Sequence, residues 1–232
     1  MKLVIFDVDG TLLDSLPDIT CAANIALEQL GLRTFIPTEV RPMSGGGAKR
    51  LMERCITRAQ NGVAPTADQV KRAVRAKSAY ANGPSGHALT EPFPGVYDML
   101  RALQSHGVQL AVLSNAEEAI IRRLMEKHFP DIRFTHVAGQ RPGVPPKPDP
   151  TSTKGIVEHR FDGVTPADCL FVGDTDNDMK AACGAGCTPV GVSWGCRDPE
   201  HLYEAGAVHC VKTTKDVVEY VVKPPSNASA DA

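Results

Sequence analysis

The stretch Leu3-Val4-Ile5-Phe6-Asp7-Val8-Asp9-Gly10-Thr11 decides the reading of this chain. Leu3, Val4, Ile5 and Phe6 form a short apolar run, the pattern of a buried strand. Two carboxylates follow within three positions. At the end of a buried strand they are costly unless a positive group stands nearby. Gly10 allows a sharp turn out of the strand. Functional groups of parallel α/β proteins sit at the carboxyl ends of their strands, where these residues would fall. A calcium loop would need a preceding helix and a closing Glu at its twelfth position, where Asp18 stands. A plain turn accounts for Gly10 but leaves the paired carboxylates unexplained.

Composition narrows the class. The 232 residues are 42% hydrophobic and 22% charged, ordinary for a globular chain with room for a main domain and an insert. A net charge of -2 offers no footprint for nucleic acid or an anionic membrane. The seven cysteines form no C-x-x-C pair, which points to free thiols and a cytoplasmic setting rather than disulfides or zinc. The N-terminus lacks the pattern of a signal peptide, and no apolar run approaches the length of a membrane span.

Outward from the first strand, the spacing predicts a helix over 14–30, capped by Asp14 or Ser15 and stopped at Gly31. A polar connector is expected at 37–42, then Ser44-Gly45-Gly46-Gly47 and helices over 48–60 and 66–81. Helix follows helix here, so an all-helical insert interrupts the fold over 14–90. Strand and helix then alternate. Strands are expected at 108–113, 134–137, 168–173, 189–192 and 207–211, with helices between them. The fold class is α/β, a doubly wound parallel sheet built from 1–13 and 91–222. The polar tail over 223–232 reads as disordered.

Three strands deliver polar groups at their ends: Asp7 and Asp9, then Ser114-Asn115, then Asp174-Thr175-Asp176-Asn177-Asp178. A proline-rich loop adds Lys147. In a doubly wound sheet these ends share one edge. Asp7, Asp9, Asp174 and Asp178 together suit a hard divalent cation, Mg²⁺. Ser114, Asn115 and Lys147 suit the oxygens of a phosphoryl group. With the metal and Lys147 offsetting the repulsion between carboxylate and phosphate, Asp7 can attack phosphorus in line. Asp9 can protonate the leaving alcohol and later activate water. The triglycine run has two readings: amides at a helix start that receive an anion, or a hinge. Gly46, Gly47 and Lys49 are the insert's candidates for contact with the leaving group.

Asp7-Val8-Asp9-Gly10-Thr11, Ser114-Asn115, Lys147-Pro148 and Gly173-Asp174-Thr175-Asp176-Asn177-Asp178 resemble the four ordered motifs of the haloacid dehalogenase superfamily, and the insert resembles its C1-type cap. The resemblance implies Asp7 as nucleophile, Asp9 as general acid and base, and Mg²⁺ held by Asp7, the Asp9 carbonyl and Asp174. Ser114 and Lys147 would contact the phosphoryl group, and Asp178 would support the metal or orient Lys147; Thr11 and Asn115 are further candidates for substrate binding. An Asp at position 9 sets the chain apart from the family's dehalogenases. Residues 45–54, Asp14-Ser15, 170–174 and 185–187 resemble the members that hydrolyse 2-phosphoglycolate, although Ala116 replaces the Lys that many of them carry. A sugar-phosphate mutase, another small phosphate ester and pyrophosphate remain as alternatives. The implied partner is a small phosphorylated metabolite, and the chain is expected as a monomer or homodimer.

Overall fold

The computed structural model describes residues 1–161 and 163–223; the expected tail beyond 223 lies outside them. Its elements in chain order are β1 (Leu3–Phe6), β2 (Leu13–Asp14), α1 (Leu16–Glu28), α2 (Pro37–Val40), α3 (Gly47–Ala59), α4 (Ala67–Ala81), β3 (Glu91–Pro92), α5 (Val96–Ser105) and β4 (Gln109–Glu117). They continue with α6 (Glu118–His128), β5 (Phe134–Gln140), α7 (Thr151–Arg160), β6 (Cys169–Gly173), α8 (Asp176–Ala185), β7 (Thr188–Val192), α9 (Pro199–Glu204), β8 (His209–Val211) and α10 (Thr214–Val222).

Six strands form one parallel sheet in the order β5-β4-β1-β6-β7-β8. β1 lies inside it, so its four side chains are fully buried, and they alternate between two apolar layers. Val4 and Phe6 join the layer that contains Leu100 of α5, Ile121 of α6 and Val217 of α10. Leu3 and Ile5 join the opposite layer with Ile156 and Val157 of α7 and Ala182 of α8. Each such burial stabilises by ~1.5–3 kcal/mol relative to exposure. A continuous apolar strand is therefore what a sheet covered on both faces requires.

Phe6 pairs with Val112 on one side and Val172 on the other. The next residues in the three strands are Asp7, Leu113 and Gly173, so Ser114 and Asp174 stand one step further along the same edge. The strand order reverses about β1, and such a switch point is where open α/β sheets bind ligands.

The chain leaves the sheet after β1 and returns through β3. β2 and β3 pair antiparallel as a two-residue ladder, Leu13 with Pro92 and Asp14 with Glu91. Between them, α1–α4 enclose a separate apolar cluster that includes Ala26, Leu27, Met52, Ile56 and Ala73. The segment expected as a polar connector is instead α2 followed by a 3-10 turn, Arg41–Met43. Val40 and Met43 are buried in the insert's cluster, two apolar anchors too short in sequence to register as a periodic pattern. Ser15 precedes α1 but its side chain makes no cap bond. Buried Asp18 accepts hydrogen bonds from Leu89 N (2.8 Å) and Thr90 Oγ1 (2.7 Å), tying α1 to the returning segment.

Candidate active site

Lys147 is the hub of the sheet edge. Its Nζ lies 2.8 Å from Asp7 Oδ1 and 2.7 Å from Asp178 Oδ1, and it donates to Leu113 O at 2.7 Å. An ammonium has three donors, and all three are engaged. Burial alone would depress Lys147, but Asp178 and Asp7 outweigh it and raise its pKa above the usual lysine range. The loop that carries Lys147 is itself clamped. Asn115 Nδ2 donates to Lys147 O (2.9 Å), and Lys147 N donates to Asn115 Oδ1 (2.8 Å). Both functions of the Asn115 amide are thus directed at the backbone of residue 147. The sequence assigned this amide to a phosphoryl group; the structure gives it to the loop.

One cation faces three carboxylates. Asp7, Asp174 and Asp178 are all buried, and each offers an oxygen within 4.8 Å of the others. Burial, then Asp178, pushes the Asp7 carboxyl well above its ordinary value despite Lys147. Burial and Asp178 likewise raise Asp174 to about 6, against the Cys196 amide. Cys196 N donates to Asp174 Oδ2 (2.7 Å) and Thr11 Oγ1 to Oδ1 (3.3 Å). Thr11 is thus turned toward a carboxylate and not toward the open cavity. Thr175 donates its amide (2.9 Å) and hydroxyl (2.6 Å) to Asp178 Oδ2. Gly10 has φ +88°, and a Cβ there would meet Asp174 Oδ2 at 2.1 Å, so only glycine lets the loop pass this carboxylate. Excess buried negative charge on oxygen ligands fits a hard divalent cation.

Asp9 stands apart from that cluster. Ser15 Oγ donates to Asp9 Oδ1 at 2.6 Å and Ser114 Oγ to Oδ2 at 3.4 Å. The residue-by-residue reading placed the Asp9 carboxylate with the metal; its hydroxyl partners hold it to one side. By its sequence position Ser15 reads as a helix cap. Its hydroxyl, six residues beyond Asp9, takes a second role on that carboxylate.

The edge opens into a cavity of about 530 Å³ between sheet and insert. Asp7, Asp9, Ser114 and Lys147 line its floor, and Gly46 and Gly47 its wall. Gly45, Gly46 and Gly47 all have φ between +82° and +92°, so the loop needs glycines. Arg197 Nη2 donates to Ser44 O (2.7 Å) and Arg41 Nη2 to Gly195 O, joining this loop to the core. Lys49 has a side chain 77% exposed, with Glu53 at 3.9 Å. Its ammonium is solvated, because it occupies the outer side of α3. Lys49 still borders the cavity, and so do Lys77 and His87, which are not among the candidates the sequence offers.

Fold and site together define an α/β enzyme of the doubly wound type, with a carboxylate-lysine centre at the switch point of its sheet. A sequence profile of the haloacid dehalogenase-like hydrolases matches residues 4–192, and the chain belongs to that family. It is 31% identical to phosphoglycolate phosphatase 1 of Pseudomonas aeruginosa, over 94% of this chain and 78% of that one. It is also 31% identical to a phosphoglycolate phosphatase of Aliivibrio fischeri, over 88% and 89%. A crystal structure of a predicted phosphoglycolate phosphatase from Haemophilus somnus superposes with a TM-score of 0.82 at 29% identity, covering 94% of this chain and 97% of that one. Among the described residues no helix is long and apolar enough to cross a membrane.

Proposed function

We propose that the chain is a Mg²⁺-dependent phosphomonoester hydrolase acting through an aspartyl-phosphate on Asp7, with 2-phosphoglycolate as its substrate. One observation carries the reaction class. Lys147 joins Asp7 to Asp178 under an open cavity, while Asp9 is held separately by Ser15. A nucleophile and an acid that share a site need different surroundings, and these two carboxylates have them. The substrate rests on the relatives named as phosphoglycolate phosphatases.

Asp7 and Asp174 would hold the cation, with Asp178 behind them. The cation supplies charge neutralisation for a phosphate dianion that approaches a carboxylate. Lys147 fixes the Asp7 carboxylate through Oδ1. Attack by Asp7 on phosphorus forms the acyl phosphate as the ester oxygen leaves. Asp9 gives that oxygen its proton, then takes one from the water that cleaves the acyl phosphate and releases inorganic phosphate. Ser114 lies beside both steps. The surrounding helices form the cap that excludes bulk water and selects the leaving group, and the chain works in the cytoplasm.

The test is phosphate release from 2-phosphoglycolate, sugar phosphates, a nucleotide and pyrophosphate, with and without Mg²⁺, for the natural chain and Asp7→Asn. Activity that needs Mg²⁺, peaks on 2-phosphoglycolate and disappears in the variant supports the whole proposal. Activity that survives Asp7→Asn sinks the mechanism. Phosphate passed to a sugar instead of released would mark a mutase.

A further inference from the structure

The face of α4 turned to the cavity carries Val74, Lys77, Ser78 and Ala81, spaced as one helical stripe. Lys77 is the charged member. Among the described residues its ammonium has no hydrogen bond or ion pair. The carboxylates whose charge acts on it, Asp9 and Glu117, already serve other donors: Ser15 and Ser114 on Asp9, Ser78 (2.8 Å) and Asn82 (3.4 Å) on Glu117. Burial lowers the Lys77 pKa, the sign of a cation short of compensation.

His87 lines the same cavity from the returning segment. Its backbone sits at φ +63°, and Lys127 Nζ donates to its carbonyl at 3.3 Å, so the strained position is anchored from the core. Both ring nitrogens are buried, and neither has a partner among the described residues. A buried polar group without a partner is costly, and a ligand in the cavity that His87 lines is an available partner for one of these nitrogens.

We infer that Lys77 and His87 form the subsite for an anionic leaving group, a carboxylate on the alcohol half of the phosphate ester. This inference rests on the phosphatase reading above. It moves recognition of that carboxylate from the glycine loop and Lys49 to α4 and the returning segment. One ammonium matches a monoanion. A second phosphate, with two charges, would meet Asp9 and Glu117 without enough positive charge to offset them. An uncharged sugar would leave Lys77 uncompensated. His87 is neutral at pH 7, because burial holds it below the usual histidine range, and it contributes one N–H as a hydrogen bond.

The experiment has two arms on the full-length chain. The first measures kcat/KM with Mg²⁺ on 2-phosphoglycolate and on p-nitrophenyl phosphate for the natural chain, Lys77→Met and His87→Asn. Met keeps the length of the stem, and Asn tolerates the positive φ. Loss of a charge-assisted hydrogen bond predicts a fall of about 100-fold for Lys77→Met on phosphoglycolate and less than about 3-fold on p-nitrophenyl phosphate, whose leaving group has no carboxylate. The smaller fall for His87→Asn is expected at about 10-fold, with the same selectivity. Equal losses on both esters, or none, overturn the subsite.

The second arm needs no turnover. Glycolate is added to the protein with ¹⁵N-labelled histidine, and His87→Asn assigns the ring signal. The His87 signal should move in the natural chain, and binding should weaken at least about 10-fold in Lys77→Met. An unmoved signal, or equal binding in the variant, refutes the subsite. If glycolate binds at His87 while phosphoglycolate is not hydrolysed, the subsite stands and the proposed function fails.

Discussion

The sheet edge and the face of the insert above it treat their charged groups in opposite ways. At the edge every functional group is held. Lys147 uses all three donors, Asn115 clamps the loop beneath it, Asp174 receives two hydrogen bonds and Asp178 three. On the insert, Lys77 and both nitrogens of His87 stand without partners among the described residues. Phosphoryl chemistry is the same for every substrate, so its groups can be fixed in advance. Recognition of a leaving group is completed only by the ligand, so its groups remain unpaired until one arrives.

The largest effect is expected for Lys147→Met, which leaves three buried carboxylates without their cation. Activity should fall by at least about 10³-fold, and the metal-free protein should lose ~3–5 kcal/mol. Phosphate release and urea unfolding measure the two losses. A mild effect on both would break the contrast between edge and insert.

Mg²⁺ itself comes next. The Asp174 carboxyl is raised to about 6, above the ~3.9 of an unfolded chain, and Asp7 shifts the same way. A raised acid contributes stability that is present below its unfolded pKa and lost as pH rises through its folded pKa. The metal-free protein should therefore weaken between about pH 4 and 6. Mg²⁺ at 100 times its Kd should restore about 2.7 kcal/mol where the carboxylates are ionised. Thermal unfolding should show a larger Mg²⁺ shift at pH 8 than at pH 5. The opposite order would place the ion elsewhere.

Asn115→Ala removes both clamps on residue 147 and should lower kcat by about 10- to 100-fold. Its KM for phosphoglycolate should change far less, which distinguishes a positioning residue from a binding one. Ser15→Ala frees one oxygen of Asp9 and should cost about 10-fold in kcat, read as a steeper dependence on the acidity of the leaving alcohol. Lys49→Ala is expected to change kcat/KM by less than about 2-fold, since an exposed pair at 3.9 Å contributes little. A large effect there would return recognition to the glycine loop.

The chain announced its centre more fully than its periphery. The apolar run from Leu3 to Phe6, the carboxylates after it and the alternation from residue 94 onward follow local rules, so the α/β class and the cluster of Asp7, Asp174 and Lys147 were legible. The two-residue strands β2 and β3, the short helix α2 and the Asp18 tie to Thr90 were not. Each is stabilised by partners far along the chain, and none is long enough to leave a period.

Sequence alone determined the parallel α/β core and which residue types could meet at its edge, because strand burial and turn chemistry are written in neighbouring residues. Only the tertiary structure decided how those groups divide the work. It turned the Asn115 amide onto a backbone, set Asp9 between Ser15 and Ser114, carried Lys49 into solvent and brought Lys77 and His87 to the cavity. Hydrogen-bond partners and the direction of a side chain depend on groups as far as 163 residues away, as for Thr11 and Asp174, and no local pattern encodes them.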